Sequence, residues 1–487
     1  MDNTIKSLNP SAVWTHFSQI CAIPHASGNE SGLREYITGI AKANGLAFRT
    51  DAIGNLLVTK PASKGKENLK TVILQSHMDM VGQKEKGSTF DFAKDPIDAV
   101  IDGGWVRAEG TALGADNGIG VAAALAVLES KDIEHGPLEA LFTVDEENCH
   151  NGVYEMPADF ISGDILINLD LKEEGELCLG CAGGVELTAS FEYVEDRNKY
   201  DGRDAVRIEV RGLKGGHSGY DIGLQRANAV KILFRFLYMA VRHFDLNVNL
   251  IDAGGLFNAI PREATAIVSC RKTDKDDFLY GLEQFEKIVR EEYDAVEESI
   301  SIKGYECEMP ASAWDKKSME QVVNAICACP TGVIRMSQHI PGLVQTSSNL
   351  ARVISGNGQV VVQGLVRSSS DTEKEAVVNG LSALFELAGA NVKLDKSYDG
   401  WMYDMRSGIY MVMDATYEDL FGRKPKAIAI HAGLECGVIG NKFPKLDMIS
   451  CGPTIKGAHS PSEKVNIDSV VRFWELLKHT LGNIPAK

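Results

Sequence analysis

The chain contains no apolar run approaching the roughly 20 residues a membrane-spanning helix needs, so a bilayer anchor is not expected. Its opening, MDNTIKSLNP, lacks both the basic n-region and the apolar core of a secretion signal, which makes the cytoplasm the expected compartment. Basic charge is short as well. Fifty Lys and Arg face 67 Asp and Glu, a formal charge of −17, which repels a phosphate backbone and removes nucleic acid from the expected partners. Cysteine is sparse, ten in 487 residues without regular spacing, which suits reduced, buried thiols better than a disulfide framework. One pair, Cys178 and Cys181, has C-x-x-C spacing. No second pair completes four ligands, so buried or loop thiols are expected there, not a structural zinc. Tandem repeats and low-complexity linkers are also missing.

What remains is an ordinary globular composition, 44% hydrophobic and 24% charged, in a chain too long for one hydrophobic core. At least two domains are expected. Helical spacing of Val13, Phe17 and Ile20, and of Leu33, Tyr36, Ile37 and Ile40, marks two early helices. Short apolar runs come next at 71–76, 138–144 and 165–169, flanked by helix-like segments such as 118–130. They predict buried strands of a mostly parallel central sheet in an α/β catalytic domain. From about Glu186 the pattern becomes alternating strands such as VRIEVRG and ATAIVSC, with long amphipathic runs at 226–243 and 372–390. That predicts an inserted α+β domain over 187–396, with 1–186 and 397–487 forming the discontinuous first domain. AIAIHAGLECG and LDMISCGP read as short buried strands rejoining the first sheet.

Ligand-type side chains cluster just past the predicted strands, where open parallel sheets bind ligands. They are His77 and Asp79 in SHMDM, Asp116 in GADNGIG, Glu146 and Glu147 in VDEEN, Asp170 in INLD, and His459 in GAHSPSE. Singly, each has an ordinary reading as a solvated or hydrogen-bonded side chain. Together, imidazole and carboxylate suit borderline divalent ions such as zinc, cobalt or manganese better than magnesium or calcium. In extended backbone, residues two apart share a face, so the Asp79 carboxylate can accept a hydrogen bond from the His77 imidazole. Neighbours point apart, so one of Glu146 and Glu147 can hold metal while the other faces a reacting water. GADNGIG lacks the Lys-Ser/Thr of a phosphate-cradling loop, and its glycines let the backbone bend around Asp116.

SHMDM, GTALGADNGIG, the Glu146–Glu147 pair, INLD, KGGHSG, FNAIPRE, HAGLECG and GAHSPSE, in this order, resemble the carnosine-cleaving branch of the co-catalytic di-zinc dipeptidase and deacylase family, over nearly the whole chain. The resemblance implies His77, Asp116 and Asp170 on one metal and Asp116, Glu147 and His459 on the other, with Asp116 bridging. It implies Glu146 as general base, Asp79 as the carboxylate orienting His77, and a cis peptide at Asp116–Asn117. His217, Asn258 and Arg367 resemble substrate-binding residues, Arg367 through the planar fork that matches a carboxylate; Arg262 and Glu435 are further candidates for the pocket wall. The implied activity is hydrolysis of Xaa-His dipeptides, by a chain that can be a homodimer. An N-acyl-amino-acid deacylase on the same metals and a silent peptide-binding relative are the alternatives. The run NCHNGV departs from the family pattern, with Cys149 where a glycine is usual, which predicts local strain that could shift Glu147. His150 in that run is expected to face solvent, with an extra metal ligand as the alternative.

Overall fold

All six residues of the strand Val72–His77 are buried, which requires neighbours on both edges and cover on both faces. The structure, a computed structural model, describes residues 4–148, 150–197 and 202–487. Val72–His77 pairs in parallel with Leu138–Thr143 and with Ile165–Asn168, and Ile165–Asn168 in parallel with Asp447–Ser450. These four form the parallel centre of an eight-stranded sheet; Ala47–Thr50, Leu56–Lys60 and Glu176–Cys181 pair antiparallel outside it. The expected strands are present, and the mixed α/β class agrees with the sequence. In HAGLECG, however, the run from Glu435 forms the helix Glu435–Lys442 and not a strand.

Three neighbouring parallel strands therefore end side by side, and the chain leaves them at His77, at Thr143 just ahead of Glu146, and at Asn168 just ahead of Asp170. The helix Ala115–Glu129 is buried on every side through Leu128. Its alanines, glycines and valines let it lie close against the helix Ser11–Cys21 and the His77 strand. Its first turn is not helical: Asp116 has φ −85° and ψ 104°, and the Asp116–Asn117 peptide is cis.

The chain divides into two compact units. One takes in the chain up to Cys181, Trp401–Ala429 and Leu434–Lys487; the other takes in Ala182–Gly400 and Ile430–Gly433. The second unit holds a nine-stranded antiparallel sheet and the helices Ala229–His243, Lys275–Glu292, Lys316–Ala328 and Asp371–Leu387. Along Gly183–Glu192, Val185, Leu187, Ala189 and Phe191 alternate with less buried residues and share one core with Phe234, Phe278, Val322 and Phe385 of the helices. That period of two is the pattern of a strand with one face in a core. Cys178 and Cys181 are buried thiols; Cys178 Sγ contacts the Gly180 carbonyl at 3.1 Å, and burial pushes the Cys181 thiol up to about 12. No helix among the described residues is long and apolar enough to cross a membrane.

Candidate metal centre

The strand ends and the kinked helix start bring His77, Asp116, Glu146, Glu147 and Asp170 together with His459. Asp116 lies at the middle: its Oδ1 is 3.5 Å from His77 Nε2, and its Oδ2 is 3.1 Å from His459 Nε2. His77 Nε2 is also 3.7 Å from Asp170 Oδ1, and His459 Nε2 is 3.0 Å from Glu147 Oε1. Three groups among them could hold a metal ion, His77 with Asp116 and Asp170, Asp116 with Glu147 and His459, and His77 with Glu146 and Glu147, the ligand atoms of each within 4.8 Å of one another.

The donors fit such ions. His77 Nε2 and Asp116 Oδ1 are buried, and neither has a hydrogen-bond partner among the described residues. Glu147 Oε1 likewise makes no hydrogen bond, its 3.0 Å contact with His459 lying off the bonding direction. Buried polar atoms left this way are costly unless something else binds them. Four carboxylates share the site, and Lys172 is the one lysine or arginine paired with them among the described residues. Its Nζ is 3.0 Å from Asp116 Oδ2 and 3.4 Å from Asp170 Oδ1.

The electrostatics reflect this crowding. Burial alone would lower the His77 imidazole, but Asp116, Asp170 and Asp79 around it hold it well above its ordinary value. Burial would raise Asp116; Lys172, then His459 and His77, hold it well below the carboxylate range. Burial lifts Glu147 to about 7 against the pull of His459, while Asp116 and Glu147 lift His459 to about 10. Glu146 would also rise on burial, but His150 and His77 bring it below its usual value, so it is ionised at neutral pH.

Holding these side chains in place is the work of residues around them. Asp79 does so differently from the expectation. His77 Nδ1 lies 3.0 Å from the Asp79 backbone carbonyl and 3.5 Å from its carboxylate, because Asp79 lies past the strand end, where alternation no longer applies. The Asp79 carboxylate instead accepts from Glu146 N at 3.0 Å, Glu147 N at 3.2 Å and Ser27 Oγ at 2.8 Å. It fixes the backbone of the glutamate pair. On the other side, buried Glu463 accepts from Leu113 N, Gly114 N and Asp116 N at 2.8–3.1 Å. Asn117 Nδ2 donates to Leu169 O and Asp170 Oδ1. Gly114 has φ +71°, and a Cβ there would lie 2.8 Å from Met80 Sδ, so the turn requires glycine.

Sequence reasoning missed Glu463 and Lys172, although Glu463 closes the GAHSPSE motif and Lys172 stands two residues past Asp170. It also misplaced His150. The ring does not face solvent: its side chain is 12% exposed, with Nδ1 3.0 Å from Glu146 Oε1. The backbone is the reason, since His150 has φ 59° and turns its ring back over the glutamate. Cys149 lies outside the described residues. Glu435, expected at a pocket wall, is buried; its Oε2 accepts from Gln75 Nε2 at 2.5 Å and Thr143 Oγ1 at 2.9 Å, and burial with Glu146 nearby raises it to about 8.

In the second unit, His217 pairs with Ala259 across a short ladder, and Ser218 N donates to Asn258 O at 2.8 Å. Arg367 is buried, donating to Tyr398 Oη at 2.6 Å and Ser218 Oγ at 3.4 Å. No carboxylate among the described residues lies within ion-pair distance of it. His431, also missed, contacts Ser347 Oγ at 2.7 Å, and burial with Arg367 and His217 nearby lowers its imidazole to about 3. Arg262 is exposed, with Nε donating to Leu213 O.

A sequence model of peptidase family M20/M25/M40 matches residues 73–483, a span that contains every residue of the candidate centre. This chain belongs to that family. Within it, the chain is 42% identical over 484 residues to the cytosol non-specific dipeptidase of Escherichia coli, covering 99% of each. The crystal structure of aminoacylhistidine dipeptidase from Vibrio alginolyticus is similar at a TM-score of 0.92 and 41% identity, over 99% of this chain and 98% of that one. The aminopeptidase PepT of Bacillus cereus shares the fold alone, at a TM-score of 0.63 and 17% identity, over 98% of this chain and 99% of that one.

Proposed function

We propose that the chain is a dipeptidase that hydrolyses the peptide bond of dipeptides, Xaa-His dipeptides such as carnosine among them, using two divalent cations. The observation that carries this reading is Asp116, buried, with one oxygen turned toward His77 and the other toward His459. That is how a carboxylate is placed to bridge two ions. His77, Asp116 and Asp170 would hold one, and Asp116, Glu147 and His459 the other. The mixed nitrogen and oxygen donors suit zinc foremost, with cobalt or manganese as substitutes. Bound there, the ions would polarise the scissile carbonyl and lower the pKa of water from about 15.7 toward roughly 7.

The remaining chemistry belongs to the chain. Glu146 is ionised and sits at the edge of the cluster, so its carboxylate accepts the proton of the attacking water and passes it to the leaving amine nitrogen. Asp79 and Glu463 keep the two halves of the centre in register by binding backbone N–H groups. Arg367, a buried guanidinium whose partners among the described residues are hydroxyls, takes the substrate's terminal carboxylate, and His217 and Asn258 bind beside it. Recognition of that carboxylate favours dipeptides over longer chains. The name of the Escherichia coli relative supports a cytoplasmic location, and we propose a homodimer on the strength of the family resemblance.

A substrate panel run before and after chelation tests the reading. Free-amine dipeptides, Xaa-His included, are expected to be cleaved, with activity lost on chelation and restored by zinc, cobalt or manganese. Preference for N-acylated amino acids would convert the assignment to a deacylase. Metal uptake without hydrolysis of any short peptide would leave a silent binding protein, and equal cleavage of long peptides would remove the dipeptide assignment.

A further inference from the structure

We infer that His150 is a positioning residue that sets the orientation of Glu146, an inference that rests on the reading of Glu146 as general base. The two oxygens of Glu146 face different neighbours. Oε1 lies 3.0 Å from His150 Nδ1, and Oε2 lies 3.9 Å from His77 Nε2. A base must keep one oxygen within hydrogen-bond reach of the proton it takes, and a glutamate side chain has enough rotatable bonds to lose that alignment. His150 Nδ1 faces the outer oxygen at ion-pair distance, the contact lying off the hydrogen-bonding direction, and the inner oxygen is left toward the His77 cluster.

The loop is wound to make this contact. His150 adopts φ 59° and ψ 31°, a left-handed conformation uncommon outside glycine, though histidine takes it more readily than most, and one that concentrates at functional sites. Asp145, at φ 54°, is left-handed too. Its carboxylate accepts from Asn148 Nδ2 at 2.8 Å and from Asn151 Nδ2 at 2.6 Å, while His150 N donates to Glu146 O at 2.8 Å. Asn148 and Asn151 thus hold Asp145, at the start of the turn that carries the histidine. Among the site residues His459 shares this backbone feature, at φ 62°.

Two substitutions separate the ring from the backbone. Glycine accepts the left-handed turn and removes the ring; asparagine tolerates the same turn and keeps an N–H donor near the place of Nδ1. His150→Gly is expected to lower kcat about ten- to a hundredfold, the scale of a misaligned catalytic group, with KM within about twofold. Metal content and melting temperature should be unchanged, and His150→Asn should recover most of the loss. In a Glu146→Gln background His150→Gly should cost nothing further, because both act through one carboxylate. Turnover within about twofold of the parent in His150→Gly, additive losses in the double variant, or a change confined to KM or metal content would overturn the positioning role. Near-normal turnover in Glu146→Gln alone would instead overturn the reading of Glu146 as base, a result that does not involve His150.

Discussion

The two units carry opposite imbalances of buried charge. In the first, Asp116, Glu146, Glu147 and Asp170 crowd together with Lys172 as their paired lysine. In the second, Arg367 is buried against the hydroxyls of Ser218 and Tyr398 with no carboxylate in reach among the described residues. Burying charge without a partner is expensive, so the imbalance in the first unit suits cations and that in the second suits the carboxylate proposed for it. The lesson is that the sign of an unbalanced buried charge points to the sign of a ligand before its identity.

Three changes would sharpen or break this contrast. Removing the fork by Arg367→Met should lower kcat/KM on dipeptides by about a hundred- to a thousandfold, the usual cost of stranding a buried charge pair's partner. Arg367→Lys should fall between, since it keeps charge but not bidentate geometry. Unchanged steady-state kinetics in Arg367→Met would deny the second unit its anion. On the cation side, Glu463→Gln leaves one oxygen to serve three backbone N–H groups, so the Asp116 turn should loosen. Metal affinity, measured against a competing chelator, should drop about ten- to a hundredfold; parent-like affinity would show that Glu463 does not shape the centre.

The smallest effect concerns pH. Glu435 has a folded value near 8 against an unfolded value of 4.5, so between those values the folded state binds the extra proton. Stability of the metal-free protein should therefore fall as pH rises from about 5 to 8. Glu435→Gln should melt a few degrees higher than the parent at pH 8 and match it at pH 5. Parallel melting curves at both pH values would contradict a proton held by Glu435.

Most of the centre was legible in the sequence for a definite physical reason. His77, Glu146, Glu147 and Asp170 stand at or just beyond short apolar runs, and buried parallel strands deliver the residues at their carboxyl ends to one edge of the sheet. Asp116 and His459 carried no periodic signal; their place came from the order of motifs. The supporting contacts were not legible. Glu463 binds Asp116 N across 347 residues, and no local pattern encodes so distant a hydrogen bond. The alternation that linked Asp79 to His77 ends with the strand at His77, and the burial of His150 was hidden because polar loop composition says nothing about a left-handed turn. GLECG reads as strand because its apolar run is too short to reveal helical period.

The central claim is that one carboxylate, Asp116, joins two cation sites, and elemental analysis of purified variants addresses it most directly. The parent should carry about two divalent ions per chain, Asp170→Ala and His459→Ala about one, and Asp116→Ala close to none. An Asp116→Ala protein that folds normally and retains its full complement of metal would contradict the account.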